Sequence, residues 1–299
     1  MTHIVAISAK KQGGKTTAVN FLHGHEMKRH DMTGTFDYHI NNEGQLVVRT
    51  VAIKDGKEVY DEGILDVFQK TYAFIRYAEH RIWPFIKAYN FADTLKDIAV
   101  EVLGLDYEQC HGTDAQKNSP TGYRWEEMPG VVTPERVKFV MHLLRGSEYI
   151  INNEFDPAMI SDIATSLDCV LHEPGPMTGR EVLQYVGTDV FRRMNQNVWV
   201  DCCLRQIEND QSEIAVIGDC RFASEVEAIR KANGKVIRLT RKFADDKHES
   251  ETALDGYTDF DAVIDNANMS ISETNSKVLE LLALWGVTDF IRPVLSDRV

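Results

Sequence analysis

"IVAISAKKQGGKTTAVNF", residues 4 to 21, decides the fold of this chain. The apolar run Ile4-Val5-Ala6-Ile7 has the length of a buried strand, and the residues after Lys15 have the composition of a helix. Between them, Ala9-Lys10-Lys11-Gln12-Gly13-Gly14-Lys15-Thr16 matches GxxxxGK[ST] at every position but the first, with Thr17 following. A strand before and a helix after is the context this pattern requires. Gly13 and Gly14 let the backbone curl so that successive N–H groups face one anion, and the helix dipole adds positive potential there. In that reading Lys15 reaches the β- and γ-phosphates of ATP, and the Thr16 hydroxyl ligates Mg²⁺. Ala9 conflicts with the motif only if its position needs φ > 0, because a Cβ is tolerated at ordinary φ. The alternative is a solvated Gly/Lys-rich turn. Even a true phosphate loop does not name the reaction, since kinases, GTPases and motors share it.

Composition narrows the field. With 299 residues and 43% hydrophobic content the chain can bury a full core, and 26% charged residues without a low-complexity tract argue against global disorder. No run of eighteen apolar residues occurs, and the N-terminus lacks a basic stretch followed by an apolar one, so a cytoplasmic protein without membrane partners is expected. The five cysteines are an odd count with no CxxC spacing and read as buried or inert thiols. Neither Cys110-His111 nor the set His23, His25 and His30 has the spacing of a zinc site. A net charge of -13 argues against stable nucleic-acid binding but leaves room for a small anionic substrate held by local cations.

The second half of the chain carries the clearest α/β punctuation. Ile214-Ala215-Val216-Ile217 reads as a buried strand closed by Gly218-Asp219. Ser224 with Glu227 spells a capping box for a helix that Asn233-Gly234 stops. Val236–Leu239 and Ala262–Ile264 are further strands, and Ser270 with Glu273 caps a last helix to about Leu284. Strand, helix, strand with short joints implies a parallel, mostly buried sheet. Nearer the N-terminus, Lys87–Phe91 reads as a strand. Asp93 caps the helix after it, with Leu95, Ile98, Ala99 and Val102 as its apolar face and Gly104 at its end. Alternation and Gly turns mark residues 33–62 as a β-rich insertion, and turn formers mark residues 105–135 as an irregular, lid-like region. No linker divides the chain, so a single domain over 1–299 is expected.

"MTGREVLQYVGTDVFRRMNQNVWVDCCL", from Met177, is the other informative stretch. Thr178 and Glu181 form a capping box, which puts Arg180 in the first turn of a helix. Val182, Leu183, Val186 and Val190 make the buried face, while Arg180, Gln184 and Thr188 share another. An arginine is unfavourable at a helix N-terminus unless an anion is bound there, the alternative being an ordinary surface ion pair.

The loop AKKQGGKTTAVNF, then FADTLKDIA, GREVLQYVGTD, NVWVD, IGDCRFASEVEAIRKANGKVIRLTR, HESE and VIDN occur in this order. Together they resemble the bacteriophage deoxynucleoside monophosphate kinases, a P-loop family related to adenylate kinases. The motifs spread over nearly the whole chain. The β-rich insertion has no counterpart in compact members, while longer tailed-phage homologues carry a similar one. Family loops often have Asp after the lysine where this chain has Thr16. The resemblance implies a P-loop kinase three-layer α/β fold and transfer of the ATP γ-phosphoryl group to a deoxynucleoside monophosphate, in the host cytoplasm during infection. The acceptor phosphate has a second pKa near ~6, so no general base is needed, and catalysis becomes positioning and charge neutralisation.

On this reading Arg180 clamps the acceptor phosphate through two parallel hydrogen bonds, and Gln184 reads the nucleotide or its phosphate. Asp219 ends a strand where open α/β sheets place ligands; it holds a magnesium-bound water or orients Arg221, which neutralises transferring charge. A structural ion pair is the alternative for Asp219 and Arg221. Lys11 bridges donor and acceptor phosphates. Lys96 contacts a phosphate, and Asp93 borders the acceptor site or simply caps its helix. Arg241 stacks on adenine, and Trp125 with Tyr123 sandwiches a base or packs a loop. Two rivals stay open: a phosphomevalonate-kinase-like enzyme, and a P-loop ATPase or nucleic-acid motor. Base preference and homodimer formation are not legible in the sequence.

Overall fold

The computed structural model describes residues 2–30, 32, 37–54, 57–145, 157–241 and 252–289. The stretch HESE, residues 248–251, lies outside them. The chain divides into two compact units: Met1–Thr94 with Asn197–Val299, and Leu95–Gln196.

The first unit is organised by the strand His3–Ser8. It runs parallel to Ile214–Ile217 on one side and to Lys235–Leu239 on the other, and the edges are closed by Ile86–Tyr89 and Ala262–Ile264. All five strands are parallel, as the continuous apolar runs imply. Val5, Ala6, Ile7, Ala215, Val216 and Ile217 have no accessible surface, because helices and neighbouring strands leave these positions no route to water. The helix Lys15–Arg29 follows the first strand, and Ala18, Val19 and Leu22 share a core with Val278, Leu279 and Leu282 of the helix Ile271–Leu284.

The insertion folds as the sequence suggests. Asp37–Ile40, Leu46–Lys54 and Lys57–Leu65 form a three-stranded antiparallel sheet, apart from the parallel one. Its position explains an oddity of the first helix, which is buried from Ala18 through Met27 despite Asn20, His23, His25 and Glu26. A Cβ on Gly24 would sit 2.3 Å from the Tyr38 ring and 2.8 Å from Leu46, so glycine there lets the insertion sheet close onto the helix. Two of these buried polar groups have clear partners: Asn20 Nδ2 donates to Gly44 O at 2.9 Å, and Glu26 accepts from Arg29 Nε at 2.8 Å and from the Thr288 hydroxyl.

Three sequence expectations need correction. The helix after Ile214–Ile217 spans Ala223–Lys231 with Phe222 at its N-cap, and the buried Glu225 carboxylate accepts from the N–H groups of Arg221 and Phe222. Ser224 and Glu227 therefore lie inside the helix rather than forming its cap. Asp93 is the first helical residue of Asp93–Glu101 rather than the residue before it, and its carboxylate reaches back to Asn90 N at 3.2 Å. Because that helix ends at Glu101, Val102 falls off the apolar face and is 74% exposed. The final helix, by contrast, begins at Ser270 with Glu273 as read, and Asn233 with φ 59° stops Ala223–Lys231.

The second unit has its own core of Ala99, Leu105, Cys110, Val131, Met177, Val182 and Tyr185. Residues 105–135 are less irregular than their composition implies. The short helices Tyr107–His111 and Asp114–Lys117 each carry a capping box, Asp106 with Gln109 and Thr113 with Gln116, and Pro120–Arg124 pairs antiparallel with Pro176–Thr178. Thr178 and Glu181 cap Gly179–Gln184 as expected. The next residues, Tyr185–Arg192, widen into π-helical turns, so Tyr185 and Gly187 are buried in addition to Val182, while Leu183, Val186 and Val190 pack against the same core as expected. All five cysteines are free.

His23 supplies a test of this packing. Its Nδ1 donates to Val19 O at 2.9 Å, its Nε2 has no partner among the described residues, and burial lowers its pKa to about 4. The folded protein therefore resists protonation that the unfolded chain accepts near 6.5. Stability contributed by neutral His23 is complete above that value and is lost as pH falls toward 4, on the order of 3 kcal/mol over the interval. Urea unfolding at pH 7.5 and pH 4.5 should show that loss, and His23→Gln should reduce the difference.

Candidate active site

The loop after the first strand has the geometry its glycines require. Gly14 sits in the left-handed region at φ 100° and opens the helix, and Gln12 also has a positive φ of 60°. Ala9 is not among the positive-φ residues, which removes the objection to alanine at the motif's first position. Its Cβ instead fills space beside Gly13, where an added Cβ would lie 2.8 Å from Ala9 Cβ, 3.0 Å from Lys10 O and 3.3 Å from Arg241 O. Backbone thus comes close on several sides, leaving a cradle that only glycine fits. The Lys15 ammonium donates to Ala9 O at 2.6 Å and Lys10 O at 2.9 Å, which holds the lysine over the loop. Lys10 pairs with Asp255 at 2.7 Å, while Lys11, Gln12 and Thr16 are exposed along the loop and helix start and Thr17 is half-buried.

Because all five strands are parallel, their carboxyl ends share one edge of the sheet, and this edge collects the polar residues the sequence singled out. Asp219 follows Ile214–Ile217, and its two oxygens accept from Phe91 N at 2.8 Å and Ala92 N at 3.3 Å. It thereby anchors the segment after Ile86–Tyr89. Desolvation raises its pKa above the usual carboxylate value, with Asp93 acting the same way; the Phe91 and Ala92 N–H groups and Arg221 oppose the rise. Arg241, after Lys235–Leu239, donates through Nε to Asn266 O at 2.9 Å and also to Met269 O. Asn266, the last residue of VIDN, is 1% exposed and was not singled out from the sequence. Its side chain accepts from Arg241 N at 2.8 Å and donates to Gly13 O at 3.2 Å, tying the loop to the neighbouring strand end. A cleft of about 230 Å³ opens there, lined by Gly14, Thr17, Arg241, Asn266 and Asn275, with the insertion's turn Asn42–Gly44 forming another part of its wall.

The second unit gathers a different set. Arg180 lies in the first turn of Gly179–Gln184, donating through Nη2 to Asp114 Oδ1 at 2.8 Å and through Nε to Asn118 Oδ1 at 3.1 Å. Lys96 and Arg180 also bring their charges to bear on Lys117, whose pKa is lowered first by burial and then by these two cations, with Asp114 opposing. The charges of Lys96 and Arg180 thus meet at Lys117, with Asp114 beside them. Lys117 was missed in the sequence because it sits in a four-residue helix whose only sequence signature, the capping box of Thr113 and Gln116, speaks of the helix start and not of chemistry. Gln184, one turn beyond Arg180, is exposed. Trp125 stacks on His172 with ring centroids 3.8 Å apart, and the Tyr123 hydroxyl donates to Leu103 O at 2.8 Å, so both rings have protein partners.

A five-stranded parallel sheet whose central strand runs through a glycine cradle into a helix is a P-loop kinase-like α/β fold. Comparison with known proteins gives the family. A family model described as deoxynucleotide monophosphate kinase matches residues 54–278, three quarters of the chain, and the chain belongs to that family. The match begins beyond the glycine loop, which is thus characterised by its own geometry. An Acanthamoeba polyphaga mimivirus protein named "Putative deoxynucleotide monophosphate kinase" is 25% identical over 207 residues, covering 64% of this chain and 79% of the viral one. As a member of this family the chain is an ATP-dependent phosphotransferase of the nucleoside monophosphate kinase class. Among the described residues no helix is long and apolar enough to cross a membrane.

The cradle makes a direct prediction. Gly13→Ala should push the loop away from Ala9 and Lys10 and weaken ATP binding at least about tenfold, a single ~1.4 kcal/mol step. Ala9→Gly should leave binding near normal, and combining it with Gly13→Ala should recover part of the loss. Titration calorimetry of the three variants with ATP checks the ordering.

Proposed function

We propose that the protein transfers the γ-phosphoryl group of ATP to a deoxynucleoside 5′-monophosphate, giving the diphosphate and ADP, with the whole 1–299 chain acting as one kinase domain. The observation that carries this reading is the glycine cradle at the carboxyl edge of the sheet, with Lys15 held over it. The cradle suits a phosphate because a Cβ would fill it, and family membership supplies the reaction class.

In this reading the backbone from Ala9 to Thr17 holds the donor phosphates, Lys15 meets the charge that develops on the γ-phosphoryl group, and the Thr16 hydroxyl would hold a Mg²⁺ ion, which would supply neutralisation of phosphate charge. Asp219, committed to two backbone N–H groups, would act on the metal only through water. Arg221 and Lys11 neutralise charge on the group in transfer. Arg180, with Lys96 and Lys117 beside it, binds the acceptor phosphate, and Gln184 contacts that nucleotide. Asp93 borders the acceptor, and Arg241 lines the donor cleft. Attack is by a phosphate oxygen that is already anionic at neutral pH, so these residues need only align two polyanions and exclude water. The product would feed viral DNA synthesis.

A coupled ADP-release panel with each common deoxynucleoside monophosphate, and with phosphomevalonate as a non-nucleotide acceptor, tests the reaction. Turnover with deoxynucleotides alone is expected. Lys15→Ala should lower turnover by about 10²-fold or more while the protein stays folded. Arg180→Lys should raise the KM for the monophosphate and lower kcat, because a point charge cannot reproduce a two-pronged grip. A loss of roughly 2–3 kcal/mol in kcat/KM for the acceptor, with ATP affinity little changed, is the expected scale. Equal weakening of both substrates would move Arg180 out of the acceptor site.

A further inference from the structure

The insertion takes no part in the parallel sheet, yet its first turn ends beside the glycine loop. Residues 41–45, between the strands Asp37–Ile40 and Leu46–Lys54, are pinned from within. Asn41 Oδ1 accepts from Glu43 N at 3.0 Å and from Gln45 N at 2.9 Å, and Asn41 Nδ2 donates to Gln45 Oε1 at 2.8 Å. Gly44 N donates to Asn41 O at 2.9 Å. The helix Lys15–Arg29 holds the turn from outside. Gly44 is buried at φ 79°, where a Cβ would lie 2.2 Å from the Thr17 hydroxyl, and its carbonyl accepts from Asn20 Nδ2 at 2.9 Å. The helix that carries Lys15 therefore also sets the position of this turn.

Asn42, Glu43 and Gly44 share the lining of the cleft with Gly14, Arg241 and Ile271. Glu43 is exposed, and among the described residues its carboxylate has neither a hydrogen bond nor an ion pair. A carboxylate accepts hydrogen bonds and cannot give them, and it repels phosphate. Its ligand in this cleft must be a group with protons to donate. The loop end suits phosphates, through backbone amides and Lys15, so the nucleoside extends along the rest of the cleft. The turn touches Thr17, two residues beyond Lys15, which sets it close to the phosphates and beside the sugar rather than at the far end with the base. A ribose offers two adjacent hydroxyls there, and the two oxygens of one carboxylate accept from both.

We propose that the insertion is part of the donor-nucleotide site and that Glu43 reads the donor sugar, its carboxylate accepting from the 2′- and 3′-hydroxyls of a ribonucleoside triphosphate. The proposal rests on the donor-phosphate reading of the loop. It gives the enzyme a way to keep its two substrates apart. A 2′-deoxynucleotide lacks one of the two donors and leaves a carboxylate oxygen unanswered, so the deoxy form is disfavoured at the donor end.

Titration calorimetry with ATP, 2′-deoxy-ATP and inorganic tripolyphosphate tests it, using Glu43→Ala and Glu43→Gln beside the unaltered protein. The unaltered protein should bind ATP more tightly than 2′-deoxy-ATP. Glu43→Ala should weaken ATP about tenfold and 2′-deoxy-ATP by less, narrowing the ratio, while tripolyphosphate binds no more weakly than before. Glu43→Gln keeps one acceptor oxygen and should fall between the two. Ligand-free melting temperatures should not move, since the side chain is exposed and unpaired. Equal affinity for the two nucleotides in the unaltered protein, or an unchanged ratio in the variants, overturns the role of Glu43. Tighter ATP binding without the carboxylate also overturns it, because Glu43 then only repels phosphate. Equal loss of ATP and tripolyphosphate does the same by placing the effect in the loop. If the unaltered protein binds neither ATP nor tripolyphosphate, the donor reading of the loop fails, and this proposal falls with it.

Discussion

The rest of the first unit depends on a geometric constraint: parallel strands must all release the chain at the same edge of the sheet. The strand His3–Ser8 lies between two parallel neighbours, so its end, the end of Ile214–Ile217 and the end of Lys235–Leu239 emerge side by side. Residues more than two hundred positions apart in the chain meet there without any local signal. The buried Val5–Ile7 run makes this register costly to change, because the apolar surface it hides has no alternative partner. The glycine loop inherits its position from that burial.

Short polar side chains then convert the edge into a defined surface. Asn266 links the loop to the strand end at Arg241, and Asp219 fixes the segment that starts the helix Asp93–Glu101. Both act on backbone groups, which do not reorient freely once the flanking strands are paired. A site built this way is largely preorganised, and preorganisation is what phosphoryl transfer asks of a protein. The insertion adds to the same surface. Gly24 and Gly44 let its sheet and turn close on the first helix, and the cost in chain entropy is offset by burying Tyr38 and Leu46 against that helix.

The second unit is held differently, by capping boxes at short helix starts and by a small core around Met177, Val182 and Tyr185. Caps satisfy orphan N–H groups where a helix is too short to be stable by propagation alone. They also fix side chains such as Arg180, whose guanidinium pairs with Asp114 at 2.8 Å, and burial followed by the charges of Lys96 and Arg180 lowers the pKa of Lys117, with Asp114 opposing.

The sequence by itself determined the elements with strong local signatures: the strand, loop and helix around Gly13 and Gly14, the strands Ile214–Ile217 and Lys235–Leu239, the caps Thr178–Glu181 and Ser270–Glu273, and the β character of the insertion. These are legible because hydrophobic periodicity and capping chemistry act over a few residues. The helix start at Phe222 was misread because Ser224 and Glu227 spell a capping box two residues further on, whereas the carboxylate that meets the helix start is the buried Glu225, which accepts from Arg221 N and Phe222 N. The π-helical stretch after Gln184 added Tyr185 and Gly187 to the buried face of Val182, Leu183, Val186 and Val190 that the sequence supports. What only the tertiary structure decided is which distant residues share a site. Lys117 and the turn Asn42–Gly44 were not singled out, and packing alone places the first beside Lys96 and Arg180 and the second against the glycine loop's cleft. Local chemistry fixes the parts, but long-range burial selects the partners, because the free energy that holds them is gained only when the sheet has assembled.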